Sequence, residues 1–270
     1  MARRTGQEKA GATRGRGQVE QDFIRRSVGI VLSIALLAPA ASSEGLAGGL
    51  AIREQSSQFQ GSSFAGNAAG GALSSSFWNS AAIGEAGYGL SSDSNYSILL
   101  GRTEFTVLPG TTLGGVGSRE EHDRPALVAG SYGAYRLTDK LVAGVAVNAP
   151  FGLSNEIDNP NWAGQFHHRS ASLLTYNINP MVSYEIARGL FVGAGVQGQY
   201  AKLSFKSAAV LNGPSSALVG DDIGFGFTLG VLWKPSQTTS IGLGFRSSIA
   251  HTVEGDQRIL TTPTKNAFEL

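Results

Sequence analysis

The sequence predicts an all-β protein: a transmembrane antiparallel β-barrel with an N-terminal hatch, or plug, ahead of its strands. Three observations lead there. The first is composition, with 37 Gly among 270 residues, no Cys, 15% charged residues and 41% hydrophobic ones. Average chains hold about 7% Gly and about 25% charge, so this chain is Gly-rich and charge-poor without being short of apolar groups. The second is period-two alternation after residue 95, with one apolar and one small or polar face per segment. The third is rhythm, because tight turns alternate with long polar connections, as periplasmic turns and outer loops do. Alternation also fits a secreted soluble sandwich, but segments of about 11 residues or more exceed the usual soluble strand and favour the barrel.

Residues 1–47 read as an export leader and stand outside the fold. They carry seven basic residues (Arg3, Arg4, Lys9, Arg14, Arg16, Arg25, Arg26) against four acidic ones. The rest of the chain keeps 14 of the 21 basic and 16 of the 20 acidic residues, so no basic surface for nucleic acid is expected. Arg25-Arg26 precedes the uncharged run Ser27–Ser43, which is too short for the roughly 20 apolar residues of a spanning helix. Cleavage is expected after Ala41 or Ala47, and the overlong n-region suggests a start codon placed too early.

Residues 48–94 follow, dense in Gly, Ala and Ser yet holding Phe59, Phe64, Phe77 and Trp78. Short helical turns folded inside a lumen would use such aromatics; a periplasmic linker is the other reading. Residues 95–270 form the strand region. About seven strands are expected, near 95–107, 125–137, 141–149, 170–186, 190–206, 222–234 and 239–250. Asp222–Trp233 shows the pattern: Ile223, Phe225, Phe227, Leu229, Val231 and Trp233 on one face, Gly224, Gly226, Thr228 and Gly230 on the other. Tight turns fall at 138–140, 187–189 and 234–236, with long connections near 150–169 and 207–221. Tyr96, Tyr135, Tyr184, Tyr200 and Trp233 lie near strand ends, where aromatic girdles belong. Asn266–Leu270 reads as the start of an eighth strand, so the barrel is expected to be incomplete.

Two stretches carry a family resemblance. Gly49-Leu50-Ala51-Ile52-Arg53-Glu54-Gln55-Ser56, followed by Phe77-Trp78-Asn79-Ser80-Ala81-Ala82-Ile83-Gly84, resembles the hatch of FadL-type outer-membrane transporters of long-chain fatty acids and other hydrophobic compounds. The likeness continues through Asn148–Leu153, Asn161–Phe166 and Asn177–Pro180. The family has Asn-Pro-Ala where this chain has Asn79, Ser80 and Ala81. The resemblance implies a barrel of about 14 strands, of which this chain would hold the hatch and the N-terminal half, with the mature start at Gly48. It also implies an outer-membrane location, hydrophobic cargo such as a fatty acid, contact with outer-membrane lipid, a monomer when full length, and no cofactor. Cargo would leave sideways through an opening made by a kinked third strand. Pro150 and Gly152 end that strand, and Pro removes a ladder donor; any outer loop could begin the same way.

Candidate ligand contacts are Phe59, Phe64 and Phe77 in the hatch and Phe151, Leu153, Trp162 and Phe166 in the long loop, each of which could equally serve packing. Arg246 could pair with a carboxylate ligand, or with Asp222 or another lumen acid. Asn79, Ser80, Ala81, Pro150 and Gly152 are the gate and hatch candidates. Catalysis finds no support. His122, His167, His168 and His251 suggest no metal or acid–base constellation, and Gly193-Ala194-Gly195 lacks the helix and Lys-Ser/Thr pair of a phosphate loop. Glu120-Glu121 beside His122 and Asp123 reads as a solvated charge run or a cation site. A non-specific porin, a surface adhesin, a lipid-modifying hydrolase and a non-functional fragment remain as alternatives.

Overall fold

The computed structural model describes residues 50–106, 119–122, 125–159, 161–259 and 262–269. The leader expected at 1–47 and its cleavage sites lie outside the described residues.

The described residues form twelve strands: β1 (Leu90–Leu100), β2 (Thr103–Thr106), β3 (Arg119–His122), β4 (Pro125–Arg136), β5 (Leu141–Asn148), β6 (Gly152–Glu156), β7 (Ser170–Ala187), β8 (Leu190–Ala208), β9 (Ser215–Trp233), β10 (Ile241–Arg246), β11 (Thr252–Ile259) and β12 (Thr262–Glu269). β2 and β3 make a small hairpin of their own, while the rest form one curled antiparallel sheet in the order β1-β4-β5-β7-β8-β9-β11-β12. β6 pairs with β7 and continues β5, and β10 pairs with β9 and is continued by β11. The wall therefore has seven spanning strands, the third and seventh each in two pieces, followed by β12.

Side chains sort by face in the sense opposite to a soluble protein. Along β7, Tyr176, Ile178, Val182 and Tyr184 are exposed, whereas Thr175, Asn177, Asn179 and Ser183 are buried. β9 repeats this with Ile223, Phe225, Phe227 and Leu229 exposed and Thr228 buried. A soluble sandwich would bury the apolar face. An apolar outer face over a polar inner one is what a wall in hydrocarbon requires. Aromatics mark two rows on it. Tyr135, Tyr184 and Trp233 lie at the short-turn end, paired with Leu90, Leu141 and Leu190. Tyr176 and Tyr200 pair with each other higher up. Eight residue steps along β7 separate Tyr176 from Tyr184, about 27 Å along the strand and about 21 Å along the normal at a tilt near 40°. That is close to the apolar band of an outer-membrane barrel.

Several boundaries differ from expectation. The first strand begins at Leu90 and ends at Leu100, so Tyr96 sits mid-strand. Tyr200 is also interior, because β8 runs to Ala208. β9 starts at Ser215, so the long connection expected at 207–221 shrinks to 209–214. The eighth strand starts at Thr262, ahead of Asn266. β7, β8 and β9 span 18, 19 and 19 residues, well beyond the 9–11 that cross a bilayer. At the ends away from the short turns their burial no longer alternates, and the periodic signal fades with it.

Both strand breaks come from one extra residue. Between the β5 and β6 ladders, residues 149–151 face only 175–176 of β7. Between the β10 and β11 ladders, residues 247–253 face only 222–227 of β9. An extra residue unpairs the ladder locally and bends the strand.

Candidate functional site

Residues 50–89 lie against the inner face of the wall, and the inner-face glycines explain how. A Cβ on Gly193 would run into the Ala81 amide, on Gly230 into Asn79 and Ser80, on Gly242 into the Ala68 carbonyl, and on Gly244 into the Trp78 carbonyl. Backbone meets backbone at these four points, which only Gly permits. These four glycines therefore serve close approach.

The segment begins at the break in the third strand. Ala51 bridges to Phe151, the Ile52 amide donates to the Pro150 carbonyl at 2.9 Å, and Gln55 Nε2 donates to the Ala149 carbonyl at 2.8 Å. Phe151 is tied to β7 by Thr175, whose hydroxyl donates to the Phe151 carbonyl at 2.6 Å and accepts from its amide at 3.0 Å. Tyr132 Oη donates to the Gln55 carbonyl at 2.9 Å. A short helix α1 (Ser57–Gly61) follows, capped by Ser56. Ser57 donates through both its amide and hydroxyl to Asn95 Oδ1 on β1.

Two 3-10 turns, Leu73–Phe77 and Ser80–Glu85, complete the segment. Asn79 caps the second: its Oδ1 accepts from the Ala81 amide at 3.0 Å, while its Nδ2 donates to the carbonyls of Ala68 (2.7 Å) and Val231 (2.9 Å). Ala81 and Ser80 are fully buried, and Ser80 Oγ has no hydrogen-bond partner. Lys234 closes an ion pair with Glu85 at the short-turn end, and the Arg136 guanidinium donates to the carbonyls of Gly84 and Ala86.

An aromatic cluster occupies the middle. Trp78 meets Phe59 edge-on at 5.6 Å, Phe77 edge-on at 5.1 Å and Phe64 at 6.0 Å. Arg246, the last residue of β10, lies over the Phe77 ring with its Cζ 4.3 Å from the centroid. Its Nη1 donates to Gln197 Oε1 and its Nη2 to the Phe77 carbonyl at 3.2 Å, while its buried Nε has no partner. Asp222, one of the two expected pairings, is elsewhere: its Oδ2 meets His251 Nδ1 at 3.0 Å and accepts the Thr252 amide. Among the described residues the guanidinium has only neutral partners, a cation–π contact and two hydrogen bonds.

Phe59, Phe64, Phe77 and Arg246 are thus brought together, and Asn79, Ser80 and Ala81 lie beside them. Phe151, Pro150 and Gly152 gather at the third-strand break, with Gly152 over Ile52 and Leu153 paired in β6 with Leu173. Trp162 and Phe166 are apart from both groups. Trp162 is buried in the outer loop with its indole N–H on the His168 carbonyl at 2.7 Å, and Phe166 is partly exposed. Sequence reasoning gave no site role to Tyr132, Gln197 or His251. Strand parity sets Gln197 on the small, polar face of its strand, where it is buried, whereas His251 owes its position to a break that alternation does not announce.

Residues 38–269 match the family described as outer membrane protein transport protein (OMPP1/FadL/TodX). The chain belongs to this family. As an OMPP1/FadL/TodX-family protein it is an outer-membrane β-barrel chain. It is 28% identical over 156 residues to outer membrane protein P1 of Haemophilus influenzae, a match covering 46% of this chain and 34% of the relative. It is 24% identical over 155 residues to the long-chain fatty acid transport protein of Escherichia coli O6:H1, covering 48% and 34%. The chain thus spans about a third of the length of the curated relatives it matches. Among solved structures, a Pseudomonas aeruginosa FadL homologue superposes with a TM-score of 0.59 at 16% identity, over 82% of this chain and 55% of the other. The Ralstonia pickettii toluene transporter TbuX gives 0.52 at 16% identity, over 73% and 59%. At those identities the likeness is one of fold.

Proposed function

We propose that this chain forms the hatch and wall of an outer-membrane transporter for hydrophobic molecules, with long-chain fatty acids as its first candidate cargo. The observation that carries the reading is the Arg246–Phe77–Trp78 cluster. A cationic side chain with an unused Nε, no carboxylate partner among the described residues and three Phe rings around a Trp beside it suits a ligand with one anionic end and an apolar body. Phe59, Phe64, Phe77 and Arg246 are then the inner ligand contacts. Phe151 and Leu153 at the third-strand break and in β6, with Trp162 and Phe166 in the loop that follows, are proposed to gather cargo before it reaches them. Residues 50–89 act as the hatch. Cargo leaves sideways where the third strand breaks at Pro150, once the strap Ala51–Gln55 lets go. The leader at 1–47 directs export, the working unit is a monomer, and no step of chemistry is assigned to any side chain.

The test is uptake of radiolabelled oleate by cells lacking their own transporter and expressing the protein. Saturable uptake that falls several-fold in Arg246→Gln supports the reading. Sugar influx without oleate uptake would make the barrel a diffusion porin and overturn it. A named relative and a solved neighbour are called a toluene or fatty-acid transporter, so toluene is the second substrate to assay. Uptake of toluene with Arg246→Gln unchanged would move the cargo from acids to neutral hydrocarbons.

A further inference from the structure

The break in the seventh strand is wider than the one in the third and is held differently. Six residues of β9, 222–227, have no ladder partner on that side, against two of β7 at the third-strand break. The two lapses lie on one row of the sheet. Thr175 and Tyr176 of β7 pair with Ala201 and Tyr200 of β8, which pair with Asp222 and Ile223 of β9. The gap has a definite frame. Ser247 closes its lower edge by donating its amide to the Phe227 carbonyl and accepting the Phe227 amide on Oγ, both at 2.9 Å. Asp222 closes its upper edge by accepting the Thr252 amide at 3.1 Å. Between them the peptide groups of Ile223 and Phe225 that point toward the seventh strand lie outside the ladder. Exposed Ile223, Phe225 and Phe227 flank the gap on the outer face.

On the inner face the chain crosses over β9. Gly224 and Gly226 present no side chains there, and a Cβ on them would meet Ile249, the Ala250 carbonyl, His251 and Ser247. Ile249 therefore covers the gap from inside. The cover is fastened by His251, which is buried and reaches Asp222 through Nδ1 at 3.0 Å and Gln199 through Nε2 at 3.1 Å. The third-strand break is strapped by residues 51–55, but the second is fastened by the wall alone. Unpaired peptide groups in hydrocarbon cost several kcal/mol each unless they line a cavity or are covered by protein. With Phe227 held by Ser247 and Asp222 by Thr252, residues 223–226 form a four-residue lapse under a small apolar flap, which fits a passage better than a continuous wall.

We propose that the gap between β9 and the seventh strand is a second lateral portal for apolar molecules, with Ile249 as its flap and His251 as its latch. The proposal rests on the hydrophobic-cargo reading above and adds a route that does not involve the hatch. It is tested with a 16-carbon fatty acid carrying a diazirine at its terminal carbon, photolysed in outer-membrane vesicles containing the protein. Adducts are mapped by mass spectrometry with and without excess palmitate. Probe dissolved in the lipid labels Phe225 in any case, so the deciding residue is Ile249 on the inner face. Palmitate-competed adducts on Ile249, rising about tenfold in His251→Ala as one to two hydrogen bonds are lost, are the expected result. Gln199→Leu removes one of the same contacts and stands in if His251→Ala does not reach the membrane. Competed adducts at Phe77 or Trp78 with none at Ile249 in either variant overturn the portal and leave the cargo reading intact. No competed adduct anywhere overturns both.

Discussion

Replacing Ser80 by Pro should stabilise the protein, and the structure supplies the terms. Ser80 is 1% exposed with its hydroxyl unpaired, and a buried orphan hydroxyl costs about 1–3 kcal/mol. It is the first residue of a 3-10 turn, where the amide has no partner within the turn and Pro is well tolerated. Asn79 before it has φ −145° and ψ 103°, an extended conformation of the kind a residue preceding Pro adopts. Pro at a compatible site adds about 0.4–1 kcal/mol by restricting the unfolded chain. The expected gain is about 2 kcal/mol for Ser80→Pro and about 1 kcal/mol for Ser80→Ala, which removes only the hydroxyl. Urea unfolding in detergent micelles, followed by tryptophan fluorescence, measures both. A rise in Ser80→Ala with a fall in Ser80→Pro would show the backbone account of this turn to be wrong. No change in either would refute the orphan-hydroxyl account as well.

Asn79→Ala removes a cap, a hydrogen bond to Ala68 within the segment and one to Val231 on β9, so a loss of about 2–3 kcal/mol is expected in the same assay; a loss under about 0.5 kcal/mol would count against the cap. Gly193→Leu has no space against the Ala81 amide, and residues 80–85 should be displaced. Hydrogen exchange at Ala81–Ile83 should then rise by at least tenfold, with protection in β7 retained. Phe225→Arg puts a cation on the exposed outer face and should cost about 2–4 kcal/mol if that position lies at mid-bilayer. Folding into lipid vesicles, read by heat-modifiable gel mobility, checks it, and an unchanged mobility shift would place Phe225 outside the hydrocarbon.

The wall was legible because a membrane forces side chains to alternate on every strand it touches. Ile223, Phe225 and Phe227 could face only one way once Gly224, Gly226 and Thr228 were read as the other face. The part of β9 from Ser215 to Asp221 was missed because its burial does not alternate from Ser215 to Leu218, which leaves no period-two signal there. The breaks were half legible. Pro150 announces the first by lacking an amide, whereas the second turns on a single surplus residue in a run of Ser, Ile and Ala that looks like ordinary strand. Of the inner cluster, the Phe residues and Arg246 stood out as aromatic and charged residues where small ones prevail. Their grouping depends on contacts between residues 50–89 and strands far along the chain. No periodicity encodes those.

The distances in sequence between those partners have a consequence for the order of events at the membrane. Asn79 bonds Val231 across 152 residues, Arg246 bonds Phe77 across 169, and Ser240 bonds Ala69 across 171. The N-terminal segment leaves the secretion machinery first, yet its resting place is built from the sixth and seventh strands, which arrive later. Contacts so far apart in sequence are slow to form. Until those strands arrive, Trp78 and its three Phe neighbours have no wall to rest on and must travel as exposed apolar cargo of the export pathway. Its seat comes together only as the wall is laid down, so the piece synthesised first is among the last to settle.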